Sequence, residues 1–183
     1  MRPLTLVGYF PKRQTQPPPW LLEMGIQEVA SVSACVAPGP DDWAQAWRHN
    51  AWGFFDGPDV AWSVVPEDQR ATFRLYAYAL YPSEFADGVE RPSEVVATGV
   101  TPLDSAFAAV GYDVVSRSTS SFFECSPLSC NYLAGEIDTN EYCLVRELEE
   151  AVALARRVEL RRCEPGPYYV LQVWRRLDPA GGP

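Results

Sequence analysis

The most regular alternation of apolar and polar positions lies in the segment 71–81, which reads ATFRLYAYALY. Every second residue from Phe73 to Tyr81 is apolar, and this period of two is typical of a strand with one buried face. The opposite face carries Tyr76 and Tyr78 together with an arginine. We therefore predict a half-buried strand whose wetter face offers Tyr76 and Tyr78 as candidate binding residues.

Two other segments are apolar on both faces, as strands in the interior of a sheet are. They are Leu4–Phe10 (LTLVGYF), which Pro11 should end, and Tyr168–Trp174 (YYVLQVW). We expect both to be central strands. Shorter apolar runs predict three further strands, at 26–36, 60–65 and 112–116.

A long helix is predicted near the C-terminal end of the chain. Asp138 and Glu141 have the spacing of a capping box, and apolar residues then recur at helical spacing. These apolar residues are Leu144, Leu148, Ala151, Val152 and Ala155. The pattern predicts a helix over about 140–158. Turn residues and potential caps predict two short helices as well, over about 41–49 and about 101–110.

At 183 residues the chain has the length of one domain. Its elements predict a single α+β domain over residues 1–183, with a mixed, mostly antiparallel sheet packed against the long C-terminal helix and the two short helices. The termini, 1–3 and 178–183, should be frayed. The pattern shows no internal repeat. The segment Pro82–Pro92 reads as an acidic loop suited to partner contact, with Glu84 and Asp87 as candidate binding residues.

The net charge of −9 restricts the classes of partner. Proteins that bind nucleic acid or anionic membranes use Lys and Arg to neutralise phosphates, and this chain has an acidic surplus. We therefore expect no nucleic acid and no membrane as partners. Long-range attraction instead favours another protein, especially a basic one.

The N-terminal apolar run is too short for a secretory signal, and no window approaches the roughly 20 apolar residues of a membrane span. Five cysteines, an odd number with uneven spacing, do not resemble a secreted disulfide framework. These observations predict a cytoplasmic protein with reduced thiols.

The cysteine-bearing segment 122–135 (FFECSPLSCNYLAG) is the first candidate for chemistry. A catalytic Cys125 or Cys130 would need a base, and His49 is the chain's one histidine. Glu124 would complete such a site, and Asn131 is a candidate binding residue of the same loop. This pattern leaves cysteine-dependent catalysis open.

Two other interpretations of the cysteines also stay open. Thiolates from Cys35, Cys125, Cys130 and Cys143 could hold zinc, although the C-x4-C spacing of the central pair is looser than in typical zinc motifs. The favoured interpretation is that the cysteines are small buried residues. We accordingly expect no cofactor, with zinc as the alternative.

Aromatic residues around Asn50 include Trp43 and Trp47, which stand four apart and share a helix face if 41–49 is helical. The favoured interpretation is that this aromatic group is buried core. If it is exposed, both are candidate binding residues, because Trp is common in binding hot spots. The chain lacks the sequence motifs of P-loop, Rossmann, zincin and α/β-hydrolase proteins. The leading hypothesis is a small acidic protein-interaction module, such as an accessory subunit or inhibitor. The alternative is a cysteine-dependent enzyme or zinc-stabilised domain centred on Cys125 and Cys130.

Overall fold

The described residues of the chain form one antiparallel sheet with short helices. The computed structural model describes residues 3–33, 35–40, 48–93, 97–117, 123, 125–157, 160 and 165–177. The strands are β1 (Thr5–Arg13), β2 (Phe73–Ala86), β3 (Val89–Pro92), β4 (Phe107–Ser116) and β5 (Tyr168–Arg176). The α-helices are α1 (Pro19–Glu23), α2 (Pro58–Ser63), α3 (Pro127–Cys130) and α4 (Leu148–Ala155), and 3-10 turns span Glu67–Thr72 and Leu133–Gly135.

The sheet is built from two similar halves. Its strand order is β1–β2–β5–β4, with β3 paired to β2 beside this path. The first half is β1–α2–β2 and the second is β4–α4–β5, so exchanging the halves leaves the strand order unchanged. At the centre β2 pairs antiparallel with β5, and Tyr78 lies opposite Val173.

The pairing register confirms that the two halves are equivalent. Ala77 lies opposite Tyr9 in the first half, and Gln172 lies opposite Tyr112 in the second. Both edge ladders also shift register at a glycine, which is Gly8 opposite Tyr78 in the first half and Gly111 opposite Val173 in the second. The structure therefore contains an internal two-fold repeat that the sequence pattern does not show.

Each half contains an asparagine that holds a loop against an edge strand. Asn140 Nδ2 donates to Val110 O at 2.6 Å, and its Oδ1 accepts from the backbone N–H groups of Tyr142 and Leu144. In the first half Asn50 makes the same set of contacts, donating to Val7 O at 2.9 Å and accepting from the N–H groups of Trp52 and Phe54. The two asparagines satisfy backbone groups that would otherwise lack partners.

Glycines allow these loops to approach the strands closely. Gly8 and Gly111 have φ angles of 144° and 141°, which residues with a side chain rarely adopt. A Cβ at Gly8 would lie 2.6 Å from Phe54 Cβ, and a Cβ at Gly111 would lie 2.8 Å from Val145 O. Both strands have a register shift at this glycine.

The structure places β1 at an edge of the sheet, so the prediction of a central strand is wrong. Tyr9 N–H donates to Phe55 O, and Arg13 N–H donates to Pro38 O, both on the side away from β2. Pro11 lies between them, so the position at which it lacks an N–H also faces this outer side. The strand therefore continues through Pro11 without losing a bond to β2. Buried loops explain why an edge strand is apolar on both faces.

The predicted alternation in β2 is confirmed, but both of its faces are buried. Leu75 and Ala77 pack with Ala61 of α2 in one apolar cluster. Tyr76 and Tyr78 belong to a second cluster on the opposite face, and each is only 1% exposed. Alternation therefore identified the strand, but not the solvent-exposed face.

The predicted architecture, a sheet packed against one long helix over 140–158, is wrong. In that range the only described α-helix is α4, with eight residues. Asn140 binds the backbone at Tyr142 and Leu144 through its side chain, which favours a turn over a helix. Cys143 has a φ of 59°, and Val145 pairs with Tyr112 of β4. The apolar stripe therefore belongs to two elements, a loop and a short helix.

Other predicted elements also differ from the structure. The segment 60–65 is largely helix α2, which Pro58 begins after Gly57. The helix expected over 101–110 is absent: residues 101–106 are irregular with a turn from Asp104, and β4 begins at Phe107. The described residues of 26–36 have no regular strand. Residues 41–47, which carry most of the other predicted short helix, lie outside the described residues, as do residues 1–2 and 178–183.

The segment Pro82–Pro92 forms a hairpin rather than an acidic loop. Ser83 to Ala86 pair with β3 in antiparallel register. Asp87 and Gly88 have φ angles of 51° and 78°, as a two-residue type I′ turn requires. The Asp-Gly dipeptide is a recognised sequence signal for this turn.

None of the described helices has the length and apolarity needed to cross a membrane.

We predict that Asn140→Ala lowers the free energy of unfolding by about 3 kcal/mol, because three backbone groups lose their partner in a site only 7% exposed. Chemical denaturation measures this change. Glu141→Ala, at the exposed neighbouring residue, is the matched control and should leave stability nearly unchanged. Equal stability of the two variants would contradict the role assigned to Asn140.

Candidate thiol site

Three cysteines from two distant parts of the sequence meet at one site. The Sγ atoms of Cys35, Cys125 and Cys130 all lie within 4.8 Å of one another, and those of Cys35 and Cys130 are 2.9 Å apart. We call this group the thiol cluster. Cys125 is buried, Cys130 is half-buried and Cys35 is exposed, so the cluster runs from the interior to the surface.

The backbone brings each cysteine to the cluster in a different way. Cys125 accepts a bond from Ser116 N–H at its carbonyl, in a bridge beside the outer edge of β4. Cys130 ends α3, a single turn that begins with Pro127.

Cys35 comes from segment 31–37, whose described residues, 31–33 and 35–37, form no helix or strand. Val32 N–H of this segment bonds to Asp113 of β4, and Pro38 O just beyond it accepts from Arg13 N–H at the end of β1. The cluster therefore depends on holding this segment against α3.

Serine side chains join the two segments. The hydroxyls of Ser31 and Ser129 are 2.6 Å apart, and both residues are almost fully buried. Ser33 Oγ lies 2.6 Å from Cys130 Sγ and 3.2 Å from Cys35 Sγ. Ser33 thus contacts two of the three sulfur atoms and supports their positions.

The buried carboxylate of Asp113 links both segments to the sheet. Its Oδ2 accepts from Val32 N–H at 2.6 Å, and its Oδ1 accepts from the Ser126 hydroxyl at 2.6 Å. Asp113 is fully buried, and burial raises its pKa to about 7 even though these two hydrogen bonds lower it. One side chain of β4 therefore fixes the backbone on both sides of the thiol cluster.

Lys12 is a buried cation near the same network. Its Nζ donates to Ser31 O, and the residue is only 3% exposed. Burial lowers the pKa of Lys12 to about 8, while the negative charges of Asp113 and the cysteines oppose this shift. Lys12 is also one of the residues that line a cavity of about 390 Å³, together with Glu28 and Tyr76. The site thus places one positive charge close to several groups that can become anionic.

The three sulfur atoms are not chemically equivalent. Hydrogen bonds from Cys125, Cys35 and Ser33 lower the pKa of Cys130 to about 5 against the opposing effect of burial. Burial raises the pKa of Cys35, and Cys130 adds to this shift. Cys143 lies outside the cluster, and burial raises its pKa to about 12. Of Cys35, Cys130 and Cys143, Cys130 therefore ionises first.

Of the residues proposed for zinc, the structure brings together Cys35, Cys125 and Cys130 and leaves Cys143 outside this group. Among the described residues His49 is not part of the group either. Its ring lies 4.5 Å from the ring of Phe55 in an aromatic environment, where burial lowers its pKa. Asn131 follows Cys130 and is half-buried. Glu124 lies outside the described residues.

The predicted binding residues are spread over the molecule. Tyr76 is buried and its hydroxyl donates to Glu28 Oε1. Glu84 is half-buried and accepts from the Tyr169 hydroxyl at 2.8 Å. Asp87 is exposed at the turn of the β2–β3 hairpin. Tyr78 is in the core, while Trp43 and Trp47 lie outside the described residues.

Sequence reasoning missed Lys12, Ser33 and Asp113 as members of this site. A signal existed for Asp113, because it is a charged residue of β4 between Tyr112 and Val114, whereas Lys12 lies between Pro11 and Arg13 and had no such signal. A charge in such a position is rarely buried without a partner. Nothing in the local pattern around Ser33 distinguished it from the neighbouring serines.

Comparisons with known proteins add no relative to this description. No protein-family model matches the chain, and neither the curated proteins nor the solved structures yield a match. The thiol cluster and its surroundings are therefore the features from which a function can be inferred.

The low pKa of Cys130 predicts an unusual pH dependence of alkylation. An ordinary thiol should react about tenfold faster for each unit between about pH 6 and about pH 8, because its thiolate fraction rises in proportion. Cys130, with a pKa of about 5, is already ionised there, so its rate with iodoacetamide should stay nearly constant. Peptide mapping by mass spectrometry measures the rate at each cysteine.

Two internal comparisons make this test specific. Buried Cys143 should remain unreacted while the protein is folded. Ser33→Ala removes one hydrogen bond to Cys130 Sγ and should restore part of the pH dependence at that cysteine. A tenfold rise per pH unit at Cys130 in the unmodified chain would contradict the pKa assigned to it.

Proposed function

We propose that the thiol cluster binds a thiophilic metal ion, zinc in the first instance, through Cys35, Cys125 and Cys130. The observation that carries this proposal is the convergence of three Sγ atoms within 4.8 Å. Zinc binds thiolates at about 2.3 Å in a tetrahedron, which corresponds to sulfur–sulfur separations of about 3.8 Å. The sulfur–sulfur distances in the cluster, from 2.9 Å to no more than 4.8 Å, lie on both sides of that spacing.

The charges around the cluster support binding of a metal by thiolates. Three thiolates and a divalent cation together carry one surplus negative charge. Lys12 is buried nearby and interacts favourably with Cys130 and Cys35. The low pKa of Cys130 also reduces the cost of removing its proton, which metal binding requires.

Among the described residues the proposed site has three protein ligands, and the side of Cys35 is open to solvent. Cys35 is exposed, so a fourth ligand can come from water or a small molecule. Structural zinc sites usually have four protein ligands, whereas sites with three leave a position for substrate. We infer that the ion both joins segment 31–37 to α3 and presents an accessible coordination position.

We predict that the reduced, chelator-treated chain binds one Cd²⁺ or Zn²⁺ ion. Cadmium titration followed by thiolate charge-transfer absorbance measures binding and counts the sulfur ligands. Loss of one ligand should weaken binding on the order of 100-fold or more, because loss of a residue that only hydrogen-bonds to a ligand already costs about 10–100-fold. The variants that remove one ligand are Cys35→Ser, Cys125→Ser and Cys130→Ser.

Cys143→Ser is the matched control, because Cys143 is a buried cysteine outside the cluster. It should retain metal affinity provided that circular dichroism shows a folded protein. Equal loss in all four variants, or no thiolate absorbance in the unmodified chain, would refute the proposed site.

A second proposal is the acidic protein-interaction module, favoured by the net charge of −9. Such a charge attracts basic proteins over long range, and salt screens the attraction. The test is a pull-down from the native host at low and high salt. Recovery of a basic partner that high salt releases would support the proposal, and recovery of no partner at either salt would refute it.

A further inference from the structure

The arrangement of Cys35 and Cys130 suits a second chemistry that requires no metal. Their sulfur atoms are 2.9 Å apart, and a disulfide needs about 2.0 Å. The segments that carry them are held in place by the contacts of Ser31 with Ser129 and of Ser33 with Cys130. The two thiols are therefore preorganised for bonding to each other although they lie far apart in sequence.

We propose that Cys35 and Cys130 undergo thiol–disulfide exchange with low-molecular-mass disulfides, Cys35 as the entry thiol and Cys130 as the resolving thiol. The assignment of the two roles follows from access. Cys35 is exposed, whereas Cys130 is half-buried behind Ser33. An external disulfide can reach Cys35 from solvent, whereas Cys130 can attack Cys35 from inside the site.

The exchange balances in two steps. The Cys35 thiolate attacks one sulfur of an external disulfide RSSR, forming a Cys35–SR mixed disulfide and releasing RS⁻. The Cys130 thiolate then attacks Cys35 Sγ, forming the Cys35–Cys130 disulfide and releasing the second RS⁻. Cys35 supplies one of the two protons that the released thiolates take up; Cys130 is already ionised, so the second proton comes from solvent. The external disulfide is reduced to two thiols, and the protein dithiol is oxidised.

Cys125 is the alternative resolving thiol, and the structure disfavours it. Cys125 is buried, and it is held by its backbone bridge to Ser116 on the side of β4. Cys125 also hydrogen-bonds to Cys130, but it lies at the buried end of the cluster, whereas Cys35 and Cys130, 2.9 Å apart, lie toward its exposed end. Cys125 should therefore stay reduced when the other two thiols are oxidised.

Oxidation should also prevent metal binding, a consequence that rests on the proposed function. A Cys35–Cys130 disulfide removes two of the three sulfur ligands, so the remaining thiol of Cys125 cannot hold the ion. Exchange itself does not depend on the metal proposal. The same residues would then serve either as ligands or as a redox couple.

The test exposes the reduced, metal-free full-length chain to oxidised glutathione and maps the products by mass spectrometry. The expected product is a Cys35–Cys130 disulfide that lacks the mass of two hydrogen atoms, with Cys143 still reduced. Cys130→Ser should instead accumulate the glutathione adduct at Cys35, at least about tenfold more than the unmodified chain, because intramolecular attack no longer removes it. Cys35→Ser should form neither product.

Cys125→Ser separates this inference from the metal proposal. It should still form the Cys35–Cys130 disulfide while losing affinity for Cd²⁺. A stable glutathione adduct at Cys35 in the unmodified chain, or a disulfide that includes Cys125, would overturn the inference and leave the metal proposal standing. Formation of the Cys35–Cys130 disulfide in a chain that binds no Cd²⁺ would support the inference and refute the metal proposal. Circular dichroism of each variant confirms that its result comes from a folded protein.

Discussion

The structure depends on satisfying the outward-facing backbone groups of two edge strands that are buried rather than exposed. A sheet edge normally bonds to water, and a buried edge needs protein partners instead. Asn50 and Asn140 meet this need in the same way, each fixing a loop whose backbone pairs with β1 or β4. Gly8 and Gly111 allow the loops to approach. The two halves therefore share this arrangement at the sheet edge as well as the order of their strands.

The same constraint positions the thiol cluster. Farther along the outer edge of β4, Ser116 N–H bonds to the carbonyl of Cys125, which starts the turn leading to Cys130. Asp113 then bonds to Val32 and Ser126, so segment 31–37 and α3 are held by one carboxylate. At the position equivalent to Ser116 in the first half, Arg13 N–H bonds to Pro38 O, but Phe10 takes the place of Asp113, so the carboxylate contacts belong to the second half. The site is thus a specialisation of one edge within an otherwise two-fold structure.

Local patterns predicted the strands better than the architecture. Alternation located β2, and a continuous apolar run located β5, because side-chain period depends on the strand alone. The helical spacing of Leu144 and Leu148 was misleading, since a loop and a short helix happen to continue one apolar series. Three of the four cysteines proposed as ligands do meet. Their spacing in the sequence could not show this, because Cys35 is brought to the cluster by contacts of Asp113 and of buried serines.

The single lysine of the chain explains how this site can hold anionic sulfur in a protein with a surplus of negative charge. Burying a thiolate near the carboxylate of Asp113 is unfavourable unless a cation is close or the carboxylate takes up a proton. Both conditions are met, since Lys12 is buried beside the network and the pKa of Asp113 is raised to about 7. A neutral residue at position 12 would remove both the attraction between Lys12 and the sulfur atoms of Cys130 and Cys35 and the bond to Ser31 O. Lys12 therefore favours the anionic sulfur that the proposed metal binding and the proposed thiol exchange both need.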